Sequence, residues 1–179
     1  QFYQNVNEPL KYGKHPEDEL FQTDVLILDG KKNTFTPHFN YKGFQYVEVS
    51  SNKPLEQDKQ DMTSHFIHTD LPQIGTFECS DSLINRLWRA TNYSYLSNLA
   101  GYPTDCPHRE KNGWTGDAHL AIETALFNYD GITLYEKWLA DHRDNMYENG
   151  RLHCIIPSGG WGSDIVDWTC SVTLIPWAI

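Results

Sequence analysis

The hydrophobic positions follow two different rhythms along the chain. Between Phe21 and about Leu71 they alternate or fall in short β-branched runs: Thr23 to Leu28 closes at Asp29-Gly30, and Phe44 to Val49 closes at Ser50-Ser51-Asn52. Alternation sends every second side chain to one face, so both runs are predicted strands. Asp29-Gly30 and Tyr41-Lys42-Gly43 supply turn chemistry, and Thr34 to Phe39 reads as an extended edge because Pro37 has no N–H for a ladder. Gln1 to Glu19 is polar, contains Pro9 and Pro16, and reads as a long loop or a severed entry. Antiparallel sheet is the expectation for this half.

After Pro72 the period lengthens. Ser80-Asp81 offers an N-cap, and Leu83, Ile84, Leu87, Trp88, Thr91 and Tyr95 recur at helical spacing, predicting a helix from about Ser82 to Leu99. A loop from Gly101 to Gly116 follows. Ala118, Ala121, Ile122, Ala125, Leu126 and Tyr129 then mark a second helix, stopped by Asp130-Gly131, and Ile132, Tyr135, Leu139, His142 and Met146 a third, stopped by Asn149-Gly150. A fourth is expected to open after Asp167, carrying Val172, Ile175 and Pro176, and the chain stops at Ile179 inside an apolar segment without a C-cap, as a cut end would. The change of period divides the chain into a sheet segment, residues 1–72, and a helical segment, residues 73–179.

Composition narrows the chemistry. Of 179 residues 39% are hydrophobic and 13% aromatic, which suits a packed globular protein, not a disordered linker. Acidic residues outnumber basic ones, 24 to 14, for a formal net charge of -10, so a polyanion such as nucleic acid finds no basic footprint and is not an expected partner. No apolar run approaches the roughly 20 residues of a membrane helix, and no membrane partner is expected. Cys79, Cys106, Cys154 and Cys170 form no CxxC pair and read as free thiols; Cys106, His108 and His119 lack a second ligand pair at recognisable spacing, so neither metal nor cofactor is expected.

The richest stretch runs from Pro103 to Asp117 and gathers Asp105, Arg109, Glu110, Trp114 and Asp117 in one interhelical loop. Acidic oxygens accept from vicinal hydroxyls, an indole covers the apolar face of a sugar ring, and a desolvated carboxyl can hold its proton near neutral pH. Glycoside cleavage uses such groups, one carboxylic acid protonating the leaving oxygen while a second carboxylate acts as nucleophile or activates water. The residue types alone leave that choice open. Bland readings stand beside each role: Arg109-Glu110-Lys111 as a solvated charge run, Asp105 as a turn cap, Asp117 as the N-cap of the second helix, Arg109 as an orienter of a neighbouring carboxylate, and Trp114 and Trp168 as core aromatics like Trp88 and Trp138. Trp161 lies in the glycine-rich turn Ser158 to Asp164, which lacks the Lys of a phosphate loop. A structural or solvated role is the expectation for His108 and His119.

Asp105-Cys106-Pro107, Arg109-Glu110, Gly113-Trp114 and Gly116-Asp117-Ala118, with Glu110 and Asp117 five and twelve positions after Asp105, resemble the catalytic loop of the bacterial α-L-rhamnosidases, glycoside hydrolase family 78. Phe39 to Val49 is similar to a strand of that family with Gln45 where Arg is usual, and Phe77 to Asp81 to the entry of its first catalytic-domain helix. Trp168 and Pro176-Trp177 keep the spacing of a later family segment, with Thr169 and Cys170 replacing Gly and Asp. The resemblance implies a β-sandwich followed by an (α/α)6 barrel, of which residues 73–179 would be the first helices. It implies an inverting hydrolase of terminal α-L-rhamnose, with Glu110 as general acid, Asp105, Arg109, Trp114, Asp117, Trp161 and Trp168 against a rhamnose-containing glycan or glycoside, and an activating Glu beyond Ile179. On that reading residues 1–179 hold the acid without the base and do not catalyse alone. Polysaccharide chemistry and an acidic surface suit a periplasmic or secreted setting. Another (α/α)6 glycosidase and a non-catalytic carbohydrate-binding module are the alternatives.

Overall fold

The computed structural model describes residues 22–31, 34–54, 62–158, 162 and 165–179. The chain divides into two units, Gln1–Ile67 and His68–Ile179.

In the first unit the runs 23–28 and 44–49 form no ladder, 44–49 bends at Gln45, and no strand forms among its described residues. The expected sheet is therefore not displayed there. Alternation assigns side chains to faces without supplying a partner ladder, and a strand persists only when one face is buried. Here neither face is: Val25, Ile27, Phe39 and Tyr46 are all exposed. Polar ties among the unit's described residues include Gln22 Nε2 donating to the Gly43 carbonyl at 2.8 Å and Lys42 Nζ 2.9 Å from Asp24.

The second unit is helical. Its elements are α1 (Ser82–Ser97), α2 (Thr115–Asn128), α3 (Ile132–Asp144), α4 (Val166–Thr169) and α5 (Ser171–Ala178). The Asp81 side chain caps α1 by accepting from Leu83 N–H at 2.8 Å, satisfying one of the amides a helix start leaves open. Of the apolar stripe read for α1 only Tyr95 is buried. Leu83, Ile84 and Leu87 stay largely exposed, because the helix packs inward through its C-terminal half, where Asn92 and Tyr95 are buried. The second helix starts two residues before Asp117, a difference explained below, and the last helical region opens one residue before Asp167 as the short α4, then continues as α5.

Helix α2 is the hub, packing against α1, α4 and α5, while α3 packs on α5. Ala118, Ile122 and Ala125 supply its buried face and, with Tyr129 at its C-cap, meet Tyr95, Leu134, Tyr135, Trp138, Ile156 and Ile175 in one core. Tyr95 stacks on Tyr129 with centroids 5.7 Å apart, and its hydroxyl pairs with that of Tyr135 at 3.1 Å, so both buried phenols have partners. Burial holds the Tyr95 and Tyr135 hydroxyls protonated, Tyr135 with its pKa raised to about 12.

His142 fastens α3 to α5. A carbonyl only accepts, so Nδ1 carries the proton it donates to the Trp138 carbonyl at 2.8 Å, and Nε2 accepts from the Ser171 hydroxyl at 3.1 Å. Burial lowers the pKa of this imidazole below its ordinary value of 6.5, against weaker opposing pulls from the Trp138 carbonyl and Asp141. The native state then binds that proton less readily than the unfolded chain, so the stabilisation is complete above pH 6.5 and is lost as pH falls through the lowered native value. Melting temperature is expected to drop on acidification below pH 6.5, and the drop to be shallower in His142→Gln; parallel curves would remove His142 from the cause.

Candidate functional site

The site is built where the loop after α1 turns into α2. Asp105 and Asn112 clasp the loop at its base: Asp105 N–H donates to the Asn112 carbonyl, and Asn112 N–H to Asp105 Oδ1, both at 3.0 Å. Between them the chain turns over Pro107 to Glu110, and Lys111 takes φ 56°, the left-handed region that a residue with a Cβ occupies at a cost. Strain of this kind persists only where surrounding contacts enforce it.

Glu110 is held at both carboxylate oxygens. Its side chain is 12% exposed; Oε2 accepts from Trp114 Nε1 at 2.8 Å and Oε1 from Arg109 Nη2 at 3.1 Å. Arg109 itself is 52% exposed, so its ion pair is solvent-screened and worth at most about 1 kcal/mol. The indole bond is the firmer hold. Its direction is set by the backbone, since Gly113 and Trp114 lie against the segment 154–156: Ile156 N–H donates to the Gly113 carbonyl at 2.8 Å, and Trp114 bridges to Ile155. A Cβ at Gly113 would collide with the Ile156 carbonyl, so this close approach requires glycine.

The same segment fixes the start of α2. Thr115 is fully buried, its N–H donates to the Cys154 carbonyl at 2.8 Å, and its hydroxyl shares its proton between the Cys154 and Trp168 carbonyls at 3.0 and 2.9 Å. These tertiary bonds open the helix at Thr115 and place Asp117 within the first turn. Asp117 is therefore not the N-cap, a position held by Trp114, whose side chain makes no capping bond. In the first turn its carboxylate still meets the positive end of the helix. Burial of its inner side nevertheless pushes its pKa up. The charges of Asp105 and Glu110 push the same way, while its own backbone N–H and the Trp168 indole pull it down. The three acids thus form one electrostatic cluster. Asp105 and Asp117 also line a cavity of about 430 Å³ together with Thr91, Ser94, Tyr95 and Tyr135.

Trp168 belongs to α4 and lies over the first turn of α2. A Cβ at Gly116 would come within 2.6 Å of its ring, so glycine lets the indole lie on the helix. The Trp168 N–H is buried and faces Asp117 without closing a hydrogen bond of ordinary geometry. Of the residues singled out from the sequence, Asp105, Arg109, Glu110, Trp114, Asp117 and Trp168 are brought to this one corner; Trp161 lies outside the described residues. Arg109 pairs with Glu110 Oε1, a contact compatible with either of its two readings, orienter of the carboxylate or sugar contact. Trp88 is half-buried, donating to Asn128 Oδ1 at 3.0 Å, and Trp138 is wholly buried, as core readings require. His119 faces Cys170, its Nε2 3.9 Å from the thiol sulfur. Asn112 and Thr115 had no role in the sequence reading, and Cys106 none beyond its place in the motif, because their partners are backbone groups elsewhere in the fold that a residue type does not announce.

A family model described as the bacterial alpha-L-rhamnosidase 6 hairpin glycosidase domain matches residues 72–179, and one described as the bacterial alpha-L-rhamnosidase concanavalin-like domain matches residues 5–68. Among curated relatives, an alpha-L-rhamnosidase of Formosa agariphila is 36% identical over 162 residues, covering 83% of this chain and 17% of its own length. One of Streptomyces avermitilis is 31% identical over 160 residues, covering 88% and 15%. The chain thus spans about a sixth of the length of these relatives. Solved structures agree: the alpha-L-rhamnosidase of Dictyoglumus thermophilum matches with a TM-score of 0.57 at 43% identity, over 62% of this chain and 13% of that one. The Streptomyces avermitilis alpha-L-rhamnosidase complexed with L-rhamnose matches with a TM-score of 0.60 at 31% identity, over 62% and 11%.

Proposed function

This chain belongs to the bacterial α-L-rhamnosidase family, and on that premise we propose that the protein carrying it hydrolyses terminal α-L-rhamnosides with Glu110 as general acid. The observation that supports this most is the Glu110 carboxyl, 12% exposed and held on one oxygen by the Trp114 indole. A glycosidic bond breaks toward an oxocarbenium-like sugar and a leaving oxygen that gathers negative charge, so a proton delivered in line with that oxygen lowers the barrier. Trp114 fixes Oε2, whereas the half-exposed Arg109 can swing away from Oε1 when substrate enters. Oε1 is the oxygen that carries the proton to the leaving group.

Asp105 and Asp117 accept from sugar hydroxyls, and Trp168 covers the apolar face of the ring. The rhamnose bound to the Streptomyces avermitilis relative supports the choice of sugar. Inversion needs a second carboxylate roughly 6.5–9.5 Å from the acid, with room for water between them. That base is proposed, as the family resemblance implies, to be a Glu beyond Ile179, with Asp105 engaged by the Asn112 N–H. A panel of nitrophenyl glycosides tests the reading: the α-L-rhamnoside is expected to be cleaved with β-rhamnose formed first, and the glucosides left intact. Equal cleavage of a glucoside would make it a different glycosidase, and rhamnose binding without any product a binding module.

A further inference from the structure

We propose that Cys106 is a positioning residue whose sulfur sets where Glu110 presents its carboxyl; this rests on the acid assignment above. Glu110 N–H donates to Cys106 Sγ at 3.1 Å, and the amides of Arg109 and Lys111 face the same atom. Successive N–H groups converging on one acceptor form a nest, a geometry that pins the backbone carrying them. Pinned here is the residue whose side chain does the chemistry, next to the left-handed Lys111. Pro107 biases Cys106 itself to an extended backbone, so the sulfur's own anchor is restrained.

The thiol also stays protonated. Burial raises its pKa, as does its hydrogen bond to the Asp105 carboxylate, and these outweigh the amides that pull it down. At neutral pH the sulfur therefore keeps its proton, and it accepts from Glu110 N–H. The sulfur thus holds the Glu110 backbone within the loop that the Asp105–Asn112 clasp closes. No bond of substrate is touched by Cys106. Its influence is on distance and angle at Glu110, where a misplacement of about 1 Å costs up to roughly a hundredfold in rate.

The test compares parent, Cys106→Ala, Cys106→Ser and Glu110→Gln in the full-length enzyme, with kcat, KM and melting temperature on an aryl α-L-rhamnoside. Cys106→Ala is expected to lower kcat by roughly ten- to a hundredfold while KM and melting temperature stay close to the parent. Cys106→Ser, which keeps a donor and an acceptor, is expected to recover most of the loss. Should Cys106→Ala not fold, Cys106→Val removes the acceptor while keeping bulk and is read the same way. An unchanged kcat in Cys106→Ala beside a crippled Glu110→Gln overturns the proposal alone. So does a joint fall of kcat, affinity and melting temperature that Ser does not repair. An active Glu110→Gln overturns the acid assignment and this inference with it.

Discussion

Glu110→Gln is expected to lower kcat on an aryl α-L-rhamnoside by roughly 10²–10⁴-fold, the contribution of a positioned proton donor, with KM and melting temperature little changed. The substitution keeps shape and removes the transferable proton. The amide oxygen can still accept from Trp114 Nε1, so the firmer of the two bonds at this side chain survives. What is lost is the Arg109 pair, and at a guanidinium 52% exposed that is at most about 1 kcal/mol. A loss of that size cannot account for two or more decades in rate through unfolding. Kinetics and thermal melts on the same preparation separate the two causes: a matching collapse of melting temperature would make Glu110 structural.

The largest stability effect is expected at Trp138. Its side chain is fully buried among Tyr135, His142 and Ile156, edge-on to the His142 ring with centroids 4.5 Å apart, and its indole N–H donates to the Ile156 carbonyl at 2.9 Å. Trp138→Ala removes that volume, which costs about 3–5 kcal/mol, and leaves a buried carbonyl without its donor for about 1–3 kcal/mol more. Denaturant unfolding measures the sum. The site is affected too, because Ile156 is the residue whose N–H holds the Gly113 carbonyl, one position before the indole that orients Glu110. Activity is therefore expected to fall below the melting transition as well, whereas a midpoint within experimental scatter of the parent would show that the core does not depend on this ring.

Much of the helical unit was legible in the sequence, since helices reveal themselves by a period that a single chain carries whole. The stripe through Ala118, Ile122 and Ala125 is the buried face of α2, and Asp81 caps α1. The sheet was less legible, because alternation at 23–28 and 44–49 specifies a face while pairing depends on another segment. The start of α2 escaped for a related reason: it is fixed by Thr115 bonding to Cys154 and Trp168, residues far along the chain. At the site, the spacing of Asp105, Glu110 and Asp117 pointed to one cluster, and their mutual electrostatic influence on Asp117 agrees. The use of Trp114 as a hydrogen-bond donor to Glu110, and of Cys106 as an acceptor beneath it, was hidden, since an indole or a thiol in a motif does not say which group it meets.

Whether Glu110 delivers the proton is decided by how kcat/KM for a series of aryl α-L-rhamnosides varies with the acidity of the departing phenol. In the parent enzyme the dependence is expected to be shallow, and in Glu110→Gln steep, with the most acidic phenols cleaved almost as fast as by the parent because they leave unprotonated. Parallel dependences in the two proteins would show that the proton comes from another group.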